Sequence, residues 1–294
     1  MAYELKRIYA EQNRVVRSLF IDTADDNYIA ARWCFVEGLN VDYFWLSVHA
    51  LEKYMKAALL LNGRSSKEYA PQNGNPRQYK HDITALYEQI GDFASDLLPS
   101  KLNKPSELEL HHWRDETPDA FIRRIYRDGN ADNRYQIFGF VQHHEDLFKL
   151  DLMAFALRRL CVHLDAYFVG KPQSGTRRPT HRDVLKRQPE WWSVSAECLL
   201  EKTVHGKRGE NLRKVLLNLN IPFAPQDFVH SAMRSRTASR NPVLARSILE
   251  PLQRAPAGTA VGVAAELCDW VIDNIHLPKE VVGQLRQATQ KRKP

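Results

Sequence analysis

The sequence predicts an all-α protein. Apolar residues recur at three- and four-residue spacing, prolines and glycines fall between those stretches, and no run of β-branched residues alternates as a strand would. At 294 residues the chain is long enough for one large or two ordinary domains, and a hydrophobic content of 44% permits a proper core. In chain order the pattern predicts helices over 3–19, 26–37, 41–61, 82–90, 118–127 and 142–169. Beyond a proline- and glycine-rich stretch it predicts more over 193–203, 209–219, 227–236, 241–254, 259–275 and 279–289.

The first helix, within MAYELKRIYAEQNRVV, is charged and amphipathic and has no apolar signal-peptide core. The clearest helix occupies 41–61. Phe44, Val48, Leu51, Met55 and Leu59 line one stripe, His49, Glu52, Lys53 and Lys56 line another, and Asn62-Gly63 supplies the stop. Glu52 can pair with Lys56 one turn later. The loop 63–79 holds two glycines and two prolines and should be an exposed connection. Asp82 then caps a helix whose apolar face is Ile83, Leu86, Tyr87 and Ile90.

Residues 170–189 (GKPQSGTRRPTHRDVLKRQP) carry three prolines, two glycines and six basic residues, which marks a boundary. The expected organisation is a helical bundle over 1–170, a basic linker over 171–190 and a basic helical domain over 191–294. Prolines 222, 225, 242, 251, 256 and 278 punctuate the second half near helix ends. Net charge is +7, divided as −3 over residues 1–170 and +10 over 171–294. Such asymmetry suggests an anionic partner for the second half. Runs such as 57–61 are far too short to span a bilayer, so no membrane partner is expected. Cys34, Cys161, Cys198 and Cys268 are scattered without a paired motif, as expected of reduced, buried thiols in a cytoplasm.

Three segments together resemble a known family. Leu51-Glu52-Lys53-Tyr54-Met55-Lys56-Ala57-Ala58-Leu59-Leu60 with its closing glycine resembles the second helix of HEPN domains. Lys80-His81-Asp82-Ile83 resembles the Lys-His-Asp-Leu signal that opens the family's next helix. Asn133-Arg134-Tyr135 resembles the Arg-Tyr pair that many members carry before the last long helix. The resemblance covers roughly residues 20–170. It implies a HEPN-like antiparallel helical bundle, followed here by the basic helical C-terminal region. It also implies binding of RNA or nucleotides, a role in bacterial defence or toxin–antitoxin regulation, and a possible homodimer.

Ribonucleases of that family use an Arg-x(4–6)-His motif, the histidine moving protons and the arginine binding phosphate. The one match here is Arg158 with His163, and both fall inside the helix expected over 142–169. Five residues along a regular helix is about 140° of rotation, so the two side chains would not converge. The resemblance implies nucleotide-facing roles for Lys53, Lys56, Lys80, His81, Arg134 and Tyr135. The alternative for His49, Glu52, Lys53 and His81 is a polar network between helices.

In the second half, Arg177, Arg178, Arg182, Lys186 and Arg187 precede Trp191-Trp192, and Arg234, Arg236, Arg240 and Arg246 form another basic cluster. Arginine beside exposed aromatic rings can bind phosphate and stack on bases; the alternative for the tryptophans is a buried anchor. Arg236 and Arg240 would share a face if a helix continued through them. Ser239-Arg240-Asn241 faintly resembles the Arg-Asn loop of some HEPN subfamilies, without the histidine expected after it.

His111-His112 and His143-His144 read as surface histidines on acidic helices. Adjacent histidines point to different faces, so one metal cannot readily use both. No metal or other cofactor is expected. Serine-hydrolase, P-loop and dinucleotide-binding signatures are absent. The readings left open are an RNA- or nucleotide-binding protein, a metal-independent ribonuclease, and a scaffold whose basic half docks an acidic protein.

Overall fold

Helical spacing in the sequence becomes helix in the structure. A computed structural model describes residues 12–69, 74–168, 178–192, 198–232, 237–241, 249–250, 259–274 and 277–290, and it is mostly α-helical. Residues 12–16 run through a π-helical turn, Arg17–Ile21, into α1 (Asp22–Glu37) without a break. The gap expected between 19 and 26 is therefore absent. Asp25, in an acidic run that could begin a helix, is instead turned inward and fully buried.

Gly38, at φ 77°, closes α1 in the left-handed conformation, and a two-residue turn starts α2 (Asn40–Leu61). Phe44, Val48, Leu51, Met55 and Leu59 are all buried, as their spacing predicts. So are Tyr43, Ala50, Tyr54 and Ala57, because α2 is covered on more than one side. It packs against α1, α3 (Ile83–Ala94), α4 (Pro118–Gly129) and α5 (Asp146–Arg158). Asp82 caps α3 as expected, accepting from Thr84 N at 2.9 Å and Ala85 N at 3.2 Å. The loop before it carries a two-stranded ribbon, β1 (Glu68–Tyr69) with β2 (Arg77–Gln78), where Tyr69 stacks on Tyr79.

The long last helix expected over 142–169 ends at Arg158. Asn62, at the end of α2, explains the stop: its amide donates to Val162 O and accepts from Leu164 N, both at 3.0 Å. Backbone groups that would have continued the helix are used there. His111, His112, His143 and His144 lie outside helices, contrary to expectation.

The chain forms two compact units. One comprises residues 1–129 and 143–236, the other 130–142 and 237–294, a division unlike the one placed at 171–190. Part of the stretch expected as linker is a packed helix, α6 (His181–Arg187), begun by a reciprocal Thr180–Asp183 capping box. Its Leu185 is buried, and Arg159, just past the end of α5, donates to the carbonyls of Leu185 and Pro189. Helices α7 (Leu199–Val204) and α8 (Glu210–Leu217) then pack on α1. Trp191 and Trp192 are half-buried against Phe168 and Phe223, within the first unit. Residues 227–232 are not helical; Leu219 N and Ser231 N are bonded to His230 and Asn218 across a turn.

The second unit opens with a 3₁₀ turn, Ala131–Tyr135. In it β3 (Phe140–Gln142) pairs antiparallel with β4 (Ala238–Arg240), Phe140 facing Arg240. With α9 (Thr259–Asn274) and α10 (Lys279–Gln290) it surrounds a small core of Ile137, Cys268, Val271, Leu277, Val281 and Leu285. The helix expected over 241–254 falls almost wholly outside the described residues. All four cysteines are free and buried. Among the described residues no helix is long and apolar enough to cross a membrane.

Two glycines separate close packing from helix propensity. A Cβ on Gly129 would meet Phe44 O at 2.3 Å and Val48 Cγ2 at 2.8 Å, whereas one on Gly91 meets nothing within 4 Å. Gly129→Ala should cost about 3 kcal/mol, the upper end of ordinary overpacking, because a backbone atom must move. Gly91→Ala should be neutral or stabilise by up to about 1 kcal/mol. Urea denaturation midpoints check both, and equal midpoints for the two variants would refute the close approach.

Candidate nucleic-acid interface

Glu52 organises the residues matched on helices two and three. Its buried carboxylate lies 2.6 Å from Lys56, 3.2 Å from His81 and 3.6 Å from His49. Burial pushes Glu52 up. The His49 imidazole, the Lys56 ammonium and the charge of His81 outweigh burial and hold the carboxyl at about 2. Lys56 also donates to Lys80 O at 3.1 Å, and Lys53 donates to Asn27 at 2.6 Å. Lys80 is exposed and takes a left-handed backbone, φ 50°. Of the network expected as the alternative to nucleotide-facing roles, His49, Glu52 and His81 come together, Lys56 joins them, and Lys53 bonds to Asn27 of α1 instead.

Arg158 and His163 are not on one helix, since Arg158 ends α5 and His163 follows in the turn. The argument from 140° of helical rotation therefore does not apply. Both line a cavity of about 280 Å³ with Arg17 and His181. Arg158, however, is fully buried, donating to Asp25 at 3.0 Å and to both Glu201 oxygens at 3.0 and 3.1 Å. Burial disfavours its charge, and those two carboxylates restore it. His163 Nε2 lies 2.7 Å from Asn13 Oδ1, and burial lowers its pKa.

Arg182 is committed within the first unit to Asp96 at 2.7 Å, Asp165 at 3.2 Å and Phe93 O at 2.8 Å. Exposed Arg178 donates to Phe168 O at 3.2 Å. Arg177, Arg234 and Arg236 lie outside the described residues. Arg240 is on a strand, not on the helix through it that the sequence allowed.

The second unit brings together what the sequence separates by a hundred residues. In the 3₁₀ turn Asn133 faces inward: its amide donates to Gly139 O at 2.8 Å and accepts from Phe138 N at 2.9 Å. With Asn133 held inside, Arg134 and Tyr135 face out. The Tyr135 ring is 73% exposed, and the Arg134 guanidinium stands 6.0 Å from its centroid. Gln136 takes a left-handed backbone, φ 58°, uncommon for a side-chain-bearing residue, and its Oε1 accepts from Arg240 on β4 at 2.6 Å. Arg134 and the exposed Tyr135 ring therefore stand in the turn that precedes β3, and Gln136, the next residue, ties that turn to Arg240 on β4. Gln136 is the residue the sequence reading missed. Only its special backbone marks it, and nothing in the sequence signals that.

No protein-family description, curated protein or solved structure matches this chain. Among the described residues, no group of three or more His, Cys, Asp or Glu side chains is placed to hold a metal ion.

The Glu52 cluster makes a pH prediction. Its folded-state pKa, about 2, lies below the ordinary 4.5. Its contribution is therefore complete above that ordinary value and is lost as pH falls toward 2. Glu52→Gln should lower stability by on the order of 3 kcal/mol at pH 7, with the deficit shrinking below about pH 4. Chemical denaturation at stepped pH measures this, and a deficit independent of pH would remove Glu52 from the acid limb.

Proposed function

We propose that this chain is a HEPN-related protein that binds single-stranded RNA, with the Arg134–Tyr135 turn and Arg240 of β4 as its contact surface. The observation that carries the reading is the outward-facing Tyr135 ring with Arg134 beside it and Arg240 held by Gln136. Flat rings stack on any base, and guanidinium groups take backbone phosphate, so this combination favours single strands over paired ones. The backbone at Gln136 stores strain, a feature that gathers at binding sites. The resemblance to HEPN domains points to the same class of partner, and the basic excess of residues 171–294 supplies long-range attraction.

A ribonuclease acting through Arg158 and His163 is the second reading, favoured by the cavity they share. It requires Arg158 to exchange two carboxylates for phosphate, which ranks it below binding. Loss of RNA cleavage in a folded His163→Ala variant would raise it again.

Binding to a single-stranded oligoribonucleotide across a salt series tests the first reading. Tyr135→Ala should weaken binding by about 1–3 kcal/mol, a factor of roughly 5–150. Arg134→Ala and Arg240→Ala should each reduce the slope of log K against log salt by about 0.7. Binding that is unchanged in all three variants would refute the surface.

A further inference from the structure

Arg159 stands next to Arg158 but has a different environment. It is 8% exposed, yet among the described residues no carboxylate lies within ion-pair distance of it. Its terminal nitrogens donate to Pro189 O at 2.8 Å and to Leu185 O, where the chain leaves α6. Those carbonyls lie at the negative end of that helix and offset part of the charge. The Nε–H has no acceptor and is buried. Burial pulls the arginine below the usual guanidinium value, and the charge of Glu190 only partly corrects it.

Arg159 is one of the residues lining a cavity of about 440 Å³, formed by α5, α6 and residues 96–103. Leu98, Leu102, Leu152 and Phe155 give it an apolar part, with Asn103 among its polar lining. The exposed lysines 101 and 186 border it. Asp96, also on the border, is already engaged by Arg182 and Lys186, each at 2.7 Å. Apolar walls around a few convergent polar groups are the usual composition of a small-molecule site. A buried donor without an acceptor is uncommon enough to need an explanation.

We infer that this cavity binds a small carboxylic acid with an apolar body, the carboxylate accepting from Arg159 Nε and the body lying on the leucine and phenylalanine walls. The carboxylate supplies both the missing acceptor and the missing counter-charge. Exposed Lys101 at the mouth draws in an anion, and the apolar part of the wall disfavours small hydrated anions such as inorganic phosphate. The site lies wholly in the first unit, so it is independent of the RNA surface proposed on the second.

Calorimetric titration of the full chain with decanoate, decan-1-ol and inorganic phosphate provides the test. Decanoate should bind one to one, at least tenfold more tightly than the alcohol, with phosphate binding more weakly than either. Arg159→Gln should reduce decanoate to the level of the alcohol. Ala156→Leu, which fills the cavity and keeps the arginine, should abolish both while leaving RNA binding as in the parent. Equal affinity for acid and alcohol would overturn the proposal. So would absence of decanoate binding, or retention of it by a folded Ala156→Leu variant. The last comparison holds even if Arg159→Gln fails to fold.

Discussion

A buried arginine held between two carboxylates ties the first unit together. Arg158 reaches Asp25 on α1 and Glu201 on α7, while Tyr54 of α2 donates to Asp25 at 2.8 Å and Leu200 N donates to its other oxygen at 2.9 Å. Four helices meet at three charges from which water is excluded. Removing one member of such a group leaves an uncompensated charge and typically costs 3–5 kcal/mol, so the elements that carry it are obliged to stay together. A second group repeats the arrangement: Arg32 pairs with Asp151, and Tyr28 bonds to that carboxylate and to Asn220.

These networks decide which parts of the chain belong to one body. Glu201 and Asn220 lie far beyond the stretch that composition marks as a boundary, yet their partners are on α1 and α5. Residues 198–232 are thereby bound to the first unit, and the second unit is assembled from 130–142 and the C-terminal segment. The same accounting limits what net charge reveals about binding. Arg182 and Lys186 are engaged by Asp96, Arg208 by Asp26, and Arg213 by Val204 O and the Phe228 ring. Part of the second half's basic excess is therefore used internally, and the proposed RNA surface rests on a few guanidinium groups beside one exposed ring.

Local physics was legible in the sequence. The stripe on α2 and the Asp82 cap each depend on residues two to four apart, and each formed as predicted. The site was legible in pieces: Arg134, Tyr135 and Arg240 could each be named. The link from their turn to Arg240 could not be read, because it needs the pairing of β3 with β4 and the Gln136–Arg240 bond.

The sequence by itself determined the all-α class, the central helix and the identity of most charged side chains near the proposed sites. Only the tertiary structure decided where α5 ends, which arginine is neutralised and which is left short of a partner. Arg158 and Arg159 are neighbours of the same residue type, and nothing local distinguishes them. One meets Asp25 and Glu201, and the other meets backbone carbonyls and an apolar cavity. Long-range contacts set the local dielectric and the counter-charge, and these two quantities fix what a buried arginine can do.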